Sequence, residues 1–173
     1  NGDVLGIQAG AGRRKIEVPE VLGIDSGEVF VEVCIPIVPT GIQILFEFIR
    51  KQVIFDALVA AKDKVFVNGR LIKTIPFVAA DRAITPQIGN ITALALGNIR
   101  VVVVEVPFSM CIKVKGARQG ARVVVLNTEI EEVDIPNLRC PNQAGIRSVT
   151  EKTCIKVTVK AEEDTIITVP TTG

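Results

Sequence analysis

The chain has 173 residues, which suits one domain or one domain with long arms, and folding buries enough surface that neither a disulfide nor a metal is obligatory. Its 20 basic and 19 acidic residues nearly cancel and are scattered, which argues against a nucleic-acid partner. The absence of His, Tyr and Trp excludes His-dependent triads and His metal sites and removes most aromatic platforms for sugars and single strands.

The 26 Val, 22 Ile and 12 Thr against only 9 Leu are residues that fit a pleated, half-buried surface. The expected fold is all-β, an antiparallel β-sandwich or barrel-like domain with an extended N-terminal arm. That arm, residues 1–14, carries four Gly and two Ala, with Val4, Leu5 and Ile7 as its large apolar residues. We expect it to leave its own domain and add as a strand to the open sheet edge of a neighbour, with an arm folded back on its own domain as the alternative. No basic-then-apolar leader precedes it, so the chain reads as a processed product or a fragment.

The body, residues 15–173, alternates short apolar runs with turn signals, as in sandwiches and barrels. Strands are predicted at 28–36, 50–59, 64–67, 70–78, 99–106, 109–114, 122–133, 153–161 and 165–169. Between them, Gly41 to Phe48 is a weak helix candidate, and Asp81 to Asn98 reads as a long irregular insertion. Glu47, Arg50, Lys51 and Asp56 interrupt the apolar stretch from Gly41 to Ala61, so no membrane span is expected.

Asn68-Gly69 lies between apolar runs and predicts a two-residue hairpin turn, because both central positions of that turn need positive φ. From Thr153 the chain alternates with period two, placing Ile155, Val157 and Val159 on one face and Lys156, Thr158 and Lys160 on the other. Val101 to Val104 and Val123 to Leu126 are continuously apolar, which predicts strands covered on both faces, by their own domain or by a neighbour.

Catalytic chemistry is not legible. Ser26, Ser109 and Ser148 lack a recognisable base, and the clusters Glu131-Glu132-Asp134 and Glu162-Glu163-Asp164 read as solvated turns or edges, with calcium binding the weaker alternative. Gly116-Ala-Arg-Gln-Gly120 reads as a hairpin turn, since no Walker Lys-Ser/Thr follows. We expect no metal and no cofactor.

Four cysteines, Cys34, Cys111, Cys140 and Cys154, form no C-x-x-C pair, and zinc would need all four from scattered positions. Disulfides in an oxidising setting are the favoured reading and buried thiols the alternative. Pro141, Asn142 and Gly145 supply turns that could bring Cys140 beside Cys154, which leaves Cys34 with Cys111; pairing between subunits is a further possibility.

Three segments carry a resemblance. Lys64-Val-Phe-Val-Asn-Gly-Arg-Leu-Ile-Lys-Thr-Ile-Pro-Phe-Val, then Val104-Glu-Val-Pro-Phe-Ser, then Val114-Lys-Gly-Ala-Arg-Gln-Gly occur in an order that resembles the SPOCS family, the spore-coat-associated domain of endospore-forming Firmicutes. The similarity covers roughly residues 33–134. The chain departs from the family at Phe77, where Tyr is usual, and in its longer 81–98 segment. The resemblance implies a surface or coat protein that works by protein-protein contact and has no catalytic residues to carry over.

The expected function is therefore a non-catalytic, self-assembling subunit of an extracellular or spore-surface filament or layer. Its expected partners are copies of itself, with other coat or surface proteins as further candidates. A monomeric adaptor of coat assembly is the alternative, and a ligand-binding sandwich is a third.

Overall fold

The computed structural model describes residues 13–79, 87–88, 91–92, 98–136 and 146–170. Its strands are β1 (Arg13–Ile44), β2 (Arg50–Ala61), β3 (Lys64–Ala79), β4 (Gln87–Ile88), β5 (Ile91–Thr92), β6 (Ile99–Ile112), β7 (Arg122–Pro136) and β8 (Ile146–Pro170). A single 3₁₀ turn, Phe46–Phe48, lies between β1 and β2. Strands β4 and β5 pair only with each other.

The fold is all-β and antiparallel. In one half β3 lies between β2 and β6, and in the other β8 lies between β1 and β7. The end of β1 joins the halves by pairing Gly41, Gln43 and Ile44 with Ala79, Val78 and Phe77 of β3. The halves face one another and do not close into a barrel. Val65, Val67 and Leu71 of β3 and Val106, Phe108 and Ile112 of β6 share a core with Ile155, Val157 and Val159 of β8.

The alternation read for β8 holds: Ile155, Val157 and Val159 are buried, while Lys156, Thr158 and Lys160 lie on the other face. The same period runs through β3, where residues 65, 67, 71, 73, 75 and 77 all point inward. Outside, Arg70 bridges Asp56 of β2 and Glu105 of β6, tying the three strands of its half together.

Several expectations need correction. Asn68 and Gly69 form no turn. They lie within β3, paired with Ala57 and Phe55 on one side and Ser109 and Phe108 on the other. The turn between β2 and β3 is Lys62-Asp63, where Asp63 takes φ 57° and donates its N–H to the Ala117 carbonyl. Opposite Gly69 the register shifts between Phe55 and Ala57, so the glycine marks a bulge in a continuous strand.

The helix candidate is absent: Gly41 to Ile44 belong to β1, and only Phe46–Phe48 turn. Residues 113–121 are not a hairpin turn, because β6 pairs with β3 and β7 with β8; the loop carries the chain from one half to the other. Gly116 and Gly120 there have φ 92° and 88°. Finally, β1 is far longer than the predicted 28–36. Arg13 to Val21 pair with Glu162 to Pro170, and beyond Glu162 β8 has no third strand on its other side. The result is a two-stranded ribbon projecting from the sandwich.

Candidate functional site

Two features stand out: a charged layer inside the core, and apolar surfaces at both ends of the long β1–β8 ladder.

The core divides in two. One cluster contains Leu71, Phe108 and Ile155; the other contains Ile35, Ile75, Phe77 and Val149. Between them strand alternation brings a layer of polar side chains to the inner face: Lys73 between Leu71 and Ile75 on β3, Glu132 and Asp134 on β7, and Glu151 and Thr153 on β8.

Lys73 is 0 % exposed and Glu151 is 1 % exposed. The Nζ of Lys73 lies 2.5 Å from Asp134 Oδ1, 3.2 Å from Glu132 Oε2 and 3.7 Å from Glu151 Oε2. Lys51 Nζ, at the margin of the layer, is 2.6 Å from Glu132 Oε1.

Two ammonium groups thus face three carboxyls. Burial pushes the Glu151 carboxyl above the usual carboxylate range, against the hydroxyl that Thr153 donates to Oε1 at 2.6 Å and the charge of Lys73. The buried site thus favours the neutral form of Glu151 more than water does. Its Oε2 is buried and has no hydrogen-bond partner.

Glu132 and Asp134 are therefore not part of a solvated turn, as expected above, whereas Glu131, pointing the other way, is exposed. Reading this layer from sequence requires taking β3 and β7 by alternate residues: Lys73 shares a face with Leu71 and Ile75, and Glu132 and Asp134 share one with Ile130.

At one end of the β1–β8 ladder, the ribbon pairs Arg14 with Val169, Ile16 with Ile167 and Val18 with Thr165 on a single face. Ile167 and Val169 are exposed, and on the opposite face Ile166 is 67 % exposed. At the other end Leu45 donates its N–H to the Pro76 carbonyl, seating the Phe46–Phe48 turn against β3. There Phe48, Ile49, Thr74, Pro76 and Val101, with Glu47 and Arg50, line a groove of about 460 Å³. Phe48 is 65 % and Val101 54 % exposed. The apolar run 101–104 is thus half uncovered within this chain, and so is the 123–126 run at Leu126.

Cys111 and Cys154 are free thiols, so the expected pairs Cys140 with Cys154 and Cys34 with Cys111 do not form. Cys154 lies on the polar face of β8 beside Glu28, Glu129, Glu131 and Lys156. Cys34 is disulfide-bonded, and Cys140 lies outside the described residues. Val4, Leu5 and Ile7 of the expected arm also lie outside them. Among the described residues, no helix is long and apolar enough to cross a membrane.

Comparison with known families, curated proteins and solved structures finds no match to this chain.

Proposed function

We propose that this chain is a structural, self-assembling subunit of an extracellular or spore-surface filament or layer, joined head to tail, without a catalytic role. One observation carries the reading: the long ladder has an uncovered apolar ribbon at one end and an uncovered apolar groove at the other. A contact between two different surfaces of the same chain is heterologous, and unless its rotation closes it propagates as an open filament.

The ribbon supports this in a second way. An isolated two-stranded ladder is marginal in water, so Arg13 to Pro19 and Asp164 to Pro170 gain stability from any surface that covers their apolar face. The resemblance to coat-associated domains points in the same direction and motivates the spore-surface setting. Segment 1–12, with Val4, Leu5 and Ile7, continues from the ribbon in sequence and would extend the same contact.

Electron microscopy and sedimentation of the purified chain test the proposal. Filaments or sheets growing with concentration are expected, and a species that stays monomeric at high concentration overturns it.

A further inference from the structure

We propose that Lys73 and Asp134 condense to an amide that covalently joins β3 to β7 through the core, with Glu151 as the group that moves the protons. The proposal concerns a covalent modification of the fold and stands apart from the assembly reading.

The geometry is that of a reacting pair. The 2.5 Å separation of Lys73 Nζ and Asp134 Oδ1 puts the amine within reach of the carboxyl carbon. Intramolecular pairs held in an attack geometry have effective molarities of about 10⁵–10⁸ M. Both partners are fixed by ladders, Lys73 opposite Val104 and Asp134 opposite Glu151, so little freedom is left to lose. Condensation releases water, and an interior walled by Leu71, Ile75 and Val149 favours its expulsion and protects the amide from hydrolysis.

Glu151 provides the second, independent observation. Its Oε2 is buried without a hydrogen-bond partner and lies 3.7 Å from the amine, while Thr153 holds the other oxygen. Burial pushes its carboxyl above the ordinary carboxylate range, the direction a proton-shuttling acid needs.

The step balances without any other reactant. One proton passes from the Lys73 ammonium to the Asp134 carboxylate, giving a neutral amine and a carboxylic acid. The nitrogen lone pair attacks Cγ of Asp134, forming the C–N bond, and Glu151 protonates the carbonyl oxygen as it becomes an alkoxide. The Glu151 carboxylate then takes the surplus proton from nitrogen and delivers it to one hydroxyl. The C–O bond breaks, water departs, the remaining hydroxyl returns its proton to Glu151, and the amide is left. Nothing is oxidised or reduced, and Glu151 ends as it began.

The choice of Asp134 over Glu132 follows from distance and occupancy. Glu132 is 3.2 Å from Lys73 and is also engaged by Lys51 at 2.6 Å.

Intact-mass spectrometry of the folded, reduced chain after prolonged incubation is the test. The expected mass is that of the sequence less one water, with fragmentation recovering one branched peptide in which the Lys73 side chain is joined to Asp134. Glu151→Gln and Asp134→Ala should each have the mass of their own sequence without that loss. Wild-type chain at its full sequence mass overturns the proposal even if the variants fail to fold. Water loss that persists in folded Asp134→Ala, or that maps to another residue, overturns the assignment to Asp134. Full water loss in folded Glu151→Gln overturns the role of Glu151.

Discussion

The ring of Phe108 occupies the space where a side chain at residue 69 would project, its Cζ 2.7 Å from the Cβ that Gly69 lacks. The Ile54 carbonyl oxygen would be closer still, at 2.6 Å. Phe108 meets Phe55 edge to face, with centroids 6.4 Å apart and planes at 86°. Gly69 is needed for this close approach, with no positive φ involved. We predict that Gly69→Ala destabilises by about 1–3 kcal/mol, the usual cost of overpacking. Urea unfolding measures it, and a midpoint equal to wild type would show that the ring relaxes freely. Phe108→Leu in the Gly69→Ala background should recover part of the loss.

The contrast between this glycine and the β8 alternation shows where the sequence was legible. Thr153 to Lys160 reads correctly because one face is wet and one dry, so hydropathy alone sets its orientation. Asn68-Gly69 misleads because its local turn preference is overridden by partners on both sides of β3 and by the bulge opposite, both products of strand order. Lys62-Asp63, the actual turn, has no glycine to announce it. The charged layer is hidden for another reason. Lys73, Asp134 and Glu151 are distant in sequence, and their convergence depends on β7 and β8 facing β3, which periodicity does not encode. What alternation does encode is that each lies on an inward face.

Glu162, at the ribbon's base, should make stability depend on acid pH. Hydrogen bonding to Lys160, aided by Arg122, holds its carboxyl below its ordinary value of 4.5 despite the opposing effect of burial. The folded chain therefore binds this proton less tightly than the unfolded chain. The resulting stability is fully present above the ordinary carboxylate pKa and is lost as pH falls through the lower, folded value. Glu162→Gln removes the dependence, so the gap between wild type and variant should narrow as pH is lowered through that window. Thermal unfolding across acid pH checks this, and a gap that stays constant would sink the assignment.

The free thiols of Cys111 and Cys154 should react at different rates. Burial, with Glu28 and Glu131 nearby, pushes the Cys154 thiol up, so less of it is thiolate at neutral pH, whereas Cys111 is exposed on the edge strand β6. Alkylation of the folded chain should modify Cys111 first, and peptide mapping of a time course measures the order. Glu28→Gln combined with Glu131→Gln should speed labelling of Cys154; equal rates in wild type would contradict the electrostatic account.

A head-to-tail contact makes a prediction that a symmetric one does not. Replacing Ile16 by Lys and Ile167 by Glu puts opposite charges at paired positions of the ribbon, which keeps its ladder while making its apolar face polar. Phe48→Glu charges the groove and leaves the ribbon intact. Each variant retains one working surface, so neither should elongate alone. Mixed, the intact ribbon of the Phe48→Glu chain can enter the intact groove of the other, and growth must stop there because the outward surfaces of the pair are both blocked. Analytical ultracentrifugation should find two monomers before mixing and a one-to-one heterodimer after. A symmetric contact, which joins like surface to like, predicts no such rescue. Longer oligomers from either variant alone would show that the altered surface is not the one used. Two monomers that remain unassociated when mixed, with both chains folded by circular dichroism and the wild type polymerising, would refute the ribbon-in-groove contact and leave assembly to another pair of surfaces.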